Sequence, residues 1–169
     1  SKRNGAIIPC DQTPRNLFYL NEIFKYYPDA KIINMIRDPR DILLSQKKKW
    51  KRRFLGAKNI PLSEALRSWA NYHPYIISKL WNSAIKARSK TEKDDKVKDI
   101  YFEQLLSEPE SVTKEICDFV ELEFSKDMLK IPKIGSSSRE DKPGEKGIDS
   151  SRSSSWQTGG LTQTEITIC

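Results

Sequence analysis

The chain has no long hydrophobic run. Its 169 residues have a mean hydropathy of -0.67, and no stretch approaches the ~18 apolar residues that a membrane-spanning helix needs. No signal-peptide pattern opens the sequence. We therefore predict a soluble, cytoplasmic protein of one domain without a membrane span.

Histidine and cysteine are also scarce. His73 is the single histidine, and the three cysteines are odd in number and lack the spacing of metal ligands. We expect no metal. Cys117 falls in a helical apolar pattern, which predicts a buried free thiol. A free thiol is typical of a reducing compartment.

Positive charge is abundant instead. The net charge is +7, and residues 47–53 hold six cations in seven positions. Three interpretations stay open: a solvated helix end, a funnel that steers an anionic acceptor or cofactor, and a nucleic-acid or localisation segment. The interpretation as a funnel is favoured by the position of residues 47–53, just after the segment 31–45 discussed below.

Residues 31–45, Lys-Ile-Ile-Asn-Met-Ile-Arg-Asp-Pro-Arg-Asp-Ile-Leu-Leu-Ser, carry the most information. The apolar run predicts a buried parallel strand, and the charged cluster after it is expected to leave the core. Asp38 before Pro39 predicts a helix N-terminus. Anions bind where a strand ends and a helix begins, so Arg37 with the Ser45 hydroxyl is predicted to clamp a phosphate.

This segment resembles the arginine-to-serine segment with which sulfotransferases hold the 3′-phosphate of PAPS (3′-phosphoadenosine 5′-phosphosulfate). Arg37 and Ser45 have the family's spacing, and residues 13–20 and 27–33 resemble its lead-in. The similarity is to the broad bacterial-type branch and runs along most of the chain. It implies an α/β fold with a parallel sheet and flanking helices, of sulfotransferase and P-loop nucleoside-kinase-like architecture, incomplete at both ends.

Two later segments extend the resemblance. Residues 102–110 look like the family's segment whose aromatic residue packs against adenine, which implies this role for Phe102; ordinary strand core is the alternative. Residues 135–156 are rich in Ser, Gly and Lys. Composition alone favours disorder, but the resemblance implies a cofactor-covering loop that ends at Trp156. The cofactor-binding candidates in this loop are Ser136, Ser137, Lys146, Gly147 and, as a competitor of the Lys-Gly pair, Arg152.

Three residues are weaker candidates for substrate binding. Arg15 and Asn16 lie where some family members place a catalytic histidine; loop structure and helix capping are their alternative roles. His73 precedes Pro74, which predicts a kink or a break in a long amphipathic pattern. It is either a partly buried or capping histidine or a group on the acceptor side. No general base is assigned.

The sequence lacks a G-x-x-x-x-G-K-[ST] run and the family's related loop for the 5′-phosphosulfate. We therefore expect a single partial sulfotransferase domain over residues 1–169, the C-terminal portion of a longer enzyme, and little PAPS-dependent turnover by this portion alone.

The predicted reaction is sulfuryl transfer from PAPS, which becomes PAP, to a hydroxyl or amine. The cations and tryptophans favour a carbohydrate or another polar hydroxyl compound, and nucleic acid is not expected. The alternatives are a nucleotide or nucleoside kinase and a non-catalytic basic module that binds polyanions.

Overall fold

A computed structural model describes residues 2–3, 6–55, 57, 59–91, 94–133 and 142–169. The strands are β1 Lys2–Arg3, β2 Ala6–Ile7, β3 Ile32–Ile36, β4 Val97–Tyr101, β5 Pro132–Lys133 and β6 Lys142–Lys146. The α-helices are α1 Leu20–Tyr26, α2 Pro39–Lys48, α3 Leu62–Ala70, α4 Pro74–Arg88, α5 Phe102–Ser107, α6 Pro109–Phe119 and α7 Gln163–Ile168.

Short 3-10 helices connect these elements. They are Pro14–Tyr19, Lys49–Phe54, Asp94–Lys96, Lys126–Leu129, Ser150–Arg152 and Ser155–Thr158. Among the helices in the described ranges, none combines the length and apolarity that crossing a bilayer demands.

The central sheet pairs β3 with β4 in parallel, from Ile32 opposite Val97 to Ile36 opposite Tyr101. This confirms the predicted α/β class with a parallel sheet. One face of the pair packs on α1, where Leu20 and Phe24 form a buried cluster with Val97.

The prediction that β3 is a buried strand is wrong for one side of the strand. Burial alternates along the strand, because only one side of a strand faces α1. Ile33 and Met35 on the other side are 41% and 46% exposed.

Local signals set most helix boundaries. The side chain of Asp38 caps α2 by accepting from the Arg40 N–H, and Pro39 follows as the first helical residue. The predicted break at Pro74 is confirmed, since α3 ends at Ala70 and α4 begins at Pro74. Residues 14–26 form a 3-10 turn followed by α1. Cys117 is buried and unbonded to another cysteine, as predicted.

Candidate functional site

A cleft of about 270 Å³ opens at the carboxyl ends of β3 and β4. Its walls come from the last residue of each strand, the turn into α2, and one side chain each from α4 and α5: Ile36, Tyr101, Arg37, Asp38, Pro39, Trp81 and Glu103. Ligands of open parallel sheets bind at this edge, because the loops that follow the strands meet there.

The turn into α2 is held rigidly. The Glu103 Oε1 accepts the Asp38 backbone N–H at 2.9 Å, and the Asp38 carboxylate accepts two N–H groups of the Arg40 guanidinium at 3.0 and 2.6 Å. Burial alone would raise the pKa of Asp38, but these bonds and the Arg40 backbone N–H lower it below the ordinary value. Asp38 is therefore a structural anion that fixes the turn.

Arg37 lies at the centre of the site. Its guanidinium carbon is 4.6 Å from the centre of the Phe102 ring, and its Nη2 donates to the Arg152 carbonyl at 3.3 Å. The Arg37 carbonyl accepts from the Trp81 indole at 3.0 Å. The Arg37 Nε is buried and has no hydrogen-bond partner among the described residues. The guanidinium is thus positioned by its surroundings and keeps an unused donor.

Asp41 ties this region to the C-terminal part of the chain. Its side chain is 1% exposed, accepts the Trp156 backbone N–H at 2.9 Å and lies 4.0 Å from the Arg37 Nη2. Burial raises the pKa of Asp41, and the Trp156 N–H and Arg37 offset this only in part. The expectation that the whole charged cluster leaves the core is wrong here, because the chain around Trp156 covers this side of α2.

Trp156 completes the group that we call the Arg37 cluster: Arg37, Asp41, Phe102, Arg152 and Trp156. The Arg40 guanidinium carbon lies 3.9 Å from the Trp156 ring centre, a distance at which cation and ring attract. The Trp156 indole N–H and the Arg152 Nε are buried without a hydrogen bond in the described part of the chain. Arg152 Nε is 3.8 Å from the Asp149 carboxylate, which is an ion pair but too long for a hydrogen bond.

A second pocket, of about 320 Å³, lies at the other end of α2. We call it the lysine–tryptophan pocket, and its side chains are Lys47, Lys48, Trp50, Lys51, Trp69 and Tyr72. Beside it, Glu165 of α7 accepts from the Lys47 ammonium and from the Tyr72 hydroxyl, both at 2.7 Å.

The same carboxylate also forms a capping box with Thr162 at the start of α7. Burial by itself would raise the pKa of Glu165, but the donors from Lys47, Thr162 and Tyr72 outweigh it and lower the pKa to about 2. The Tyr72 pKa is raised by burial and by this carboxylate. Glu165 therefore fastens α7 to α2 as a permanent anion.

Comparison with known proteins decides the family. The model of the sulfotransferase family matches residues 1–126. The chain belongs to the sulfotransferase family. This confirms the resemblance read from the arginine-to-serine segment.

Relatives of this sulfotransferase-family chain extend beyond it. A Caenorhabditis briggsae protein named "Putative protein-tyrosine sulfotransferase" is 24% identical over 132 residues, which is 75% of this chain and 42% of that protein. The chain thus spans less than half the length of this curated relative.

Two solved structures share the fold at 18% identity. The sulfotransferase domain of the Synechococcus PCC 7002 olefin synthase has a TM-score of 0.56, with 94% of this chain and 55% of that chain covered. The sulfotransferase domain from the curacin biosynthetic pathway has a TM-score of 0.51, with 94% and 59% covered. Both support the sulfotransferase fold.

Some residues predicted to bind the family's cofactor meet in the structure. Phe102 and Arg152 both contact Arg37. Phe102 begins α5 instead of ending the strand, so the alternative of ordinary strand core is wrong. Ser45 is half-buried on α2 and follows Asp41 by four residues, which places these two on one side of the helix. Arg37 precedes the helix.

Other predicted residues lie elsewhere. Lys146 is exposed at the end of β6, and the Gly147 N–H donates to the Ile131 carbonyl, across the hairpin formed with β5. Between the Lys-Gly pair and Arg152, the structure therefore brings Arg152 to Arg37. Ser136 and Ser137 lie outside the described residues, and their role stays a prediction.

The three weaker candidates are at the surface or in local turns. Arg15 and His73 are exposed, so partial burial of His73 is wrong. His73 is the N-cap residue of α4, although its side chain makes no capping hydrogen bond among the described residues. The Asn16 amide donates to the Asp11 carboxylate at 2.8 Å, which fits the alternative role in loop structure.

Sequence reasoning did not identify Asp41, Glu103 or Glu165 as structural members of these sites. A signal existed only for Glu165: Thr162 and Glu165 have the spacing of a capping box before an apolar run. Asp41 and Glu103 contact residues far along the chain, which no local pattern reveals.

Proposed function

We propose that this chain carries the 3′-phosphate and adenine side of a PAPS site, in an enzyme that moves a sulfuryl group from PAPS to an acceptor hydroxyl or amine. One observation carries the proposal. Four buried side-chain donors have no hydrogen-bond partner among the described residues, and three of them belong to the Arg37 cluster: the Arg37 Nε, the Arg152 Nε and the Trp156 indole N–H. The fourth is the Arg52 Nε.

Buried donors without acceptors are rare, because each costs about 1–3 kcal/mol. Two of these donors belong to guanidinium groups, which suit the geometry of phosphate oxygens. An anionic group bound at the cluster would satisfy the donors and neutralise the charge. The donor set therefore fits the ribose phosphate of PAPS.

The start of α2 is less suited to be the anion site itself. Its N-cap residue Asp38 and its first-turn residue Asp41 carry carboxylates, which repel a phosphate at the helix end, and the Asp38 carboxylate accepts the Arg40 N–H. The proposed binding therefore depends on side-chain cations and not on the helix dipole.

The remaining roles follow from this placement. Ser45 is proposed to donate its hydroxyl to the same phosphate. Phe102 is proposed to pack against adenine with the ring face that Arg37 leaves free. When bound, PAPS supplies the sulfuryl group; the residues named here bind and orient the nucleotide, which is a large part of catalysis in transfers of this kind.

Membership of the sulfotransferase family and the fold of the two sulfotransferase domains support the chemistry. The name of the Caenorhabditis briggsae relative refers to protein tyrosine, a hydroxyl acceptor. A nucleotide kinase and a non-catalytic polyanion-binding module are the competing functions.

Calorimetry with 3′,5′-ADP tests the proposal. We expect binding that the Arg37→Ala variant weakens by at least about tenfold, because one charged contact to phosphate is worth about 1.5–3 kcal/mol. We expect 5′-ADP, which has no 3′-phosphate, to bind far more weakly. Arg67→Ala, which removes an exposed arginine of α3 that pairs with Glu64, is the matched control.

Two results would contradict the proposal. Equal binding of 3′,5′-ADP and 5′-ADP would favour a kinase, and binding of polyanions without either nucleotide would favour the basic module.

A further inference from the structure

The lysine–tryptophan pocket has no role in the proposed nucleotide site. Helix α2 has ten residues and is therefore about 15 Å long. The Arg37 cluster lies at its N-terminal end and the pocket at its C-terminal end. A ligand in the pocket would therefore leave the nucleotide cleft open.

The charge of the pocket is positive. The Lys47 ammonium is neutralised by Glu165, whereas neither Lys48 nor Lys51 takes part in an ion pair found among the described residues. Lys51 lies 5.5 Å from the Trp50 ring centre. Two ammonium groups are thus available to a negatively charged ligand.

The walls of the pocket are aromatic. Trp50 is braced by Phe54, edge to face, with ring centres 6.1 Å apart. Trp69 of α3 is 64% exposed although it lines a pocket. An open indole beside a second one offers a flat apolar surface that covers the C–H face of a sugar ring, with burial of apolar area as the driving force.

Gly160 keeps the pocket open on a third side. Its φ is +99°, and a Cβ at this position would lie 2.8 Å from Leu44 Cδ1 and 3.4 Å from the Lys48 ammonium. A larger residue would therefore collide with α2 and press on the Lys48 side chain.

Neither arginine of the basic segment is among the described residues that line this pocket. The Arg53 guanidinium donates to the Ile60 carbonyl, and the pocket is lined by lysines alone among its cations. Arginine guanidinium groups are the usual side chains that bind phosphate with two hydrogen bonds, and a nucleic acid needs a groove that follows its backbone. A compact pocket with point-like ammonium charges and indole faces fits an acidic sugar better.

An acidic peptide fits less well for a different reason. Peptides are commonly held through main-chain hydrogen bonds at a strand edge or as a helix in a groove. The pocket is built from α2, the following 3-10 turn, α3 and the segment around Gly160, and it contains no strand edge.

We propose that the lysine–tryptophan pocket binds an acidic saccharide unit, with its carboxylate or sulfate on Lys48 and Lys51 and its ring on Trp50 and Trp69. Its role as part of the acceptor depends on the proposed sulfuryl transfer, whereas saccharide binding can be measured without it.

The test measures binding of four probes by calorimetry and tryptophan fluorescence. They are an unsulfated disaccharide containing a uronic acid, the matched neutral disaccharide, a tyrosine peptide flanked by glutamates, and a single-stranded oligonucleotide. We expect the acidic disaccharide to bind roughly tenfold or more tightly than the neutral one. The peptide and the oligonucleotide are expected to bind more weakly.

The variants Trp69→Ala and Lys51→Gln should each weaken the disaccharide about fivefold or more. Both side chains are exposed, so the fold should tolerate their loss. Lys25→Gln and Tyr26→Ala remove an exposed lysine and ring that pair at 5.9 Å on α1. As matched controls, they should leave binding unchanged.

Failure of this inference can be told from failure of the proposed function. Arg37→Ala should weaken 3′,5′-ADP and spare the disaccharide, and Trp69→Ala should do the reverse. The inference is overturned if neither disaccharide binds, if the peptide or oligonucleotide binds as tightly as the acidic disaccharide, or if 3′,5′-ADP displaces the disaccharide. Each of these results can occur while 3′,5′-ADP still binds at the Arg37 cluster.

Discussion

The two ends of α2 are each fastened to the C-terminal part of the chain by a carboxylate, and the two carboxylates are in opposite electrostatic states. At the N-terminal end, Asp41 accepts one backbone N–H from Trp156 and its other oxygen has no hydrogen bond in the described residues. At the C-terminal end, Glu165 receives Lys47, Tyr72 and Thr162. Burial raises the pKa of Asp41, whereas the donors lower that of Glu165 to about 2.

The difference shows that burial alone does not decide whether a carboxylate stabilises a fold. Asp41 is 1% exposed and Glu165 is 8% exposed, so their separation from water is similar. What differs is the number of donors that replace water. The carboxylate at the C-terminal end of α2 is therefore well supplied with hydrogen bonds. The N-terminal end keeps both acceptors and donors that lack hydrogen-bond partners among the described residues.

The largest expected effect is the loss of the Glu165 charge. The folded pKa of about 2 lies below the ordinary 4.5, so the ionised form stabilises the fold by about 3 kcal/mol above pH 4.5. This contribution is lost as the pH falls from 4.5 to 2, because the unfolded chain takes up the proton first. Glu165→Gln should lower the urea-unfolding free energy by about this amount at pH 7.

Comparison across pH sharpens the test. The difference in unfolding free energy between the parent protein and Glu165→Gln should become smaller as the pH falls toward 2. The control is Glu110→Gln, which breaks a 2.7 Å pair with Lys114 on the exposed surface of α6 and should change stability little. If this difference in unfolding free energy did not depend on pH, Glu165 would stabilise the fold by packing and not by charge.

The second prediction concerns Asp41, for which the pH dependence of stability has the opposite sign. Because the folded pKa is raised above 3.8, the folded state holds its proton to higher pH than the unfolded chain. Stability from this group therefore falls as the pH rises from 3.8 through the folded pKa. Asp41→Asn keeps an acceptor for the Trp156 N–H and removes the buried charge, so it should not destabilise the protein at pH 7.

Asp41→Ala leaves that N–H without a partner and should cost about 1–3 kcal/mol. Urea unfolding of both variants at pH 7 checks this order. If Asp41→Asn proved as damaging as Glu165→Gln, the charge of Asp41 would stabilise the fold as much as that of Glu165, and the two ends of α2 would not differ.

Local features of the fold could be predicted from the sequence, whereas long-range contacts could not. Asp38 and the break at Pro74 were readable, because capping and proline act over a few residues. The parallel pairing of β3 and β4 was predictable from the apolar runs and the family resemblance. Asp41 was not readable, because its burial depends on a contact with Trp156, 115 positions along the chain.

The site was predictable to a similar degree. Arg37 and Phe102 were proposed from their segments, and the structure places them in contact. The choice between Arg152 and the Lys146–Gly147 pair was not readable, since it depends on how residues 142–158 fold back on α2. Composition describes such a segment as serine-rich and gives no direction to its backbone.

The smallest expected effect isolates one unsatisfied donor at the N-terminal end of α2. Trp156→Phe keeps the backbone N–H to Asp41 and a ring beneath Arg40, and removes only the indole N–H. Stability should change little, because this N–H has no hydrogen-bond partner among the described residues. The affinity for 3′,5′-ADP should fall by about tenfold, since a hydrogen bond to a charged group is lost.

Trp50→Phe is the matched control for this change, because it removes an indole N–H at the opposite end of α2. Calorimetry should therefore separate the two tryptophans: 3′,5′-ADP binding weakened by Trp156→Phe and unchanged by Trp50→Phe. An unchanged affinity in Trp156→Phe would mean that the indole N–H does not meet the phosphate. The anion would then be bound by Arg37 and Arg152, and the unpaired indole N–H would be a consequence of how the Trp156 ring packs.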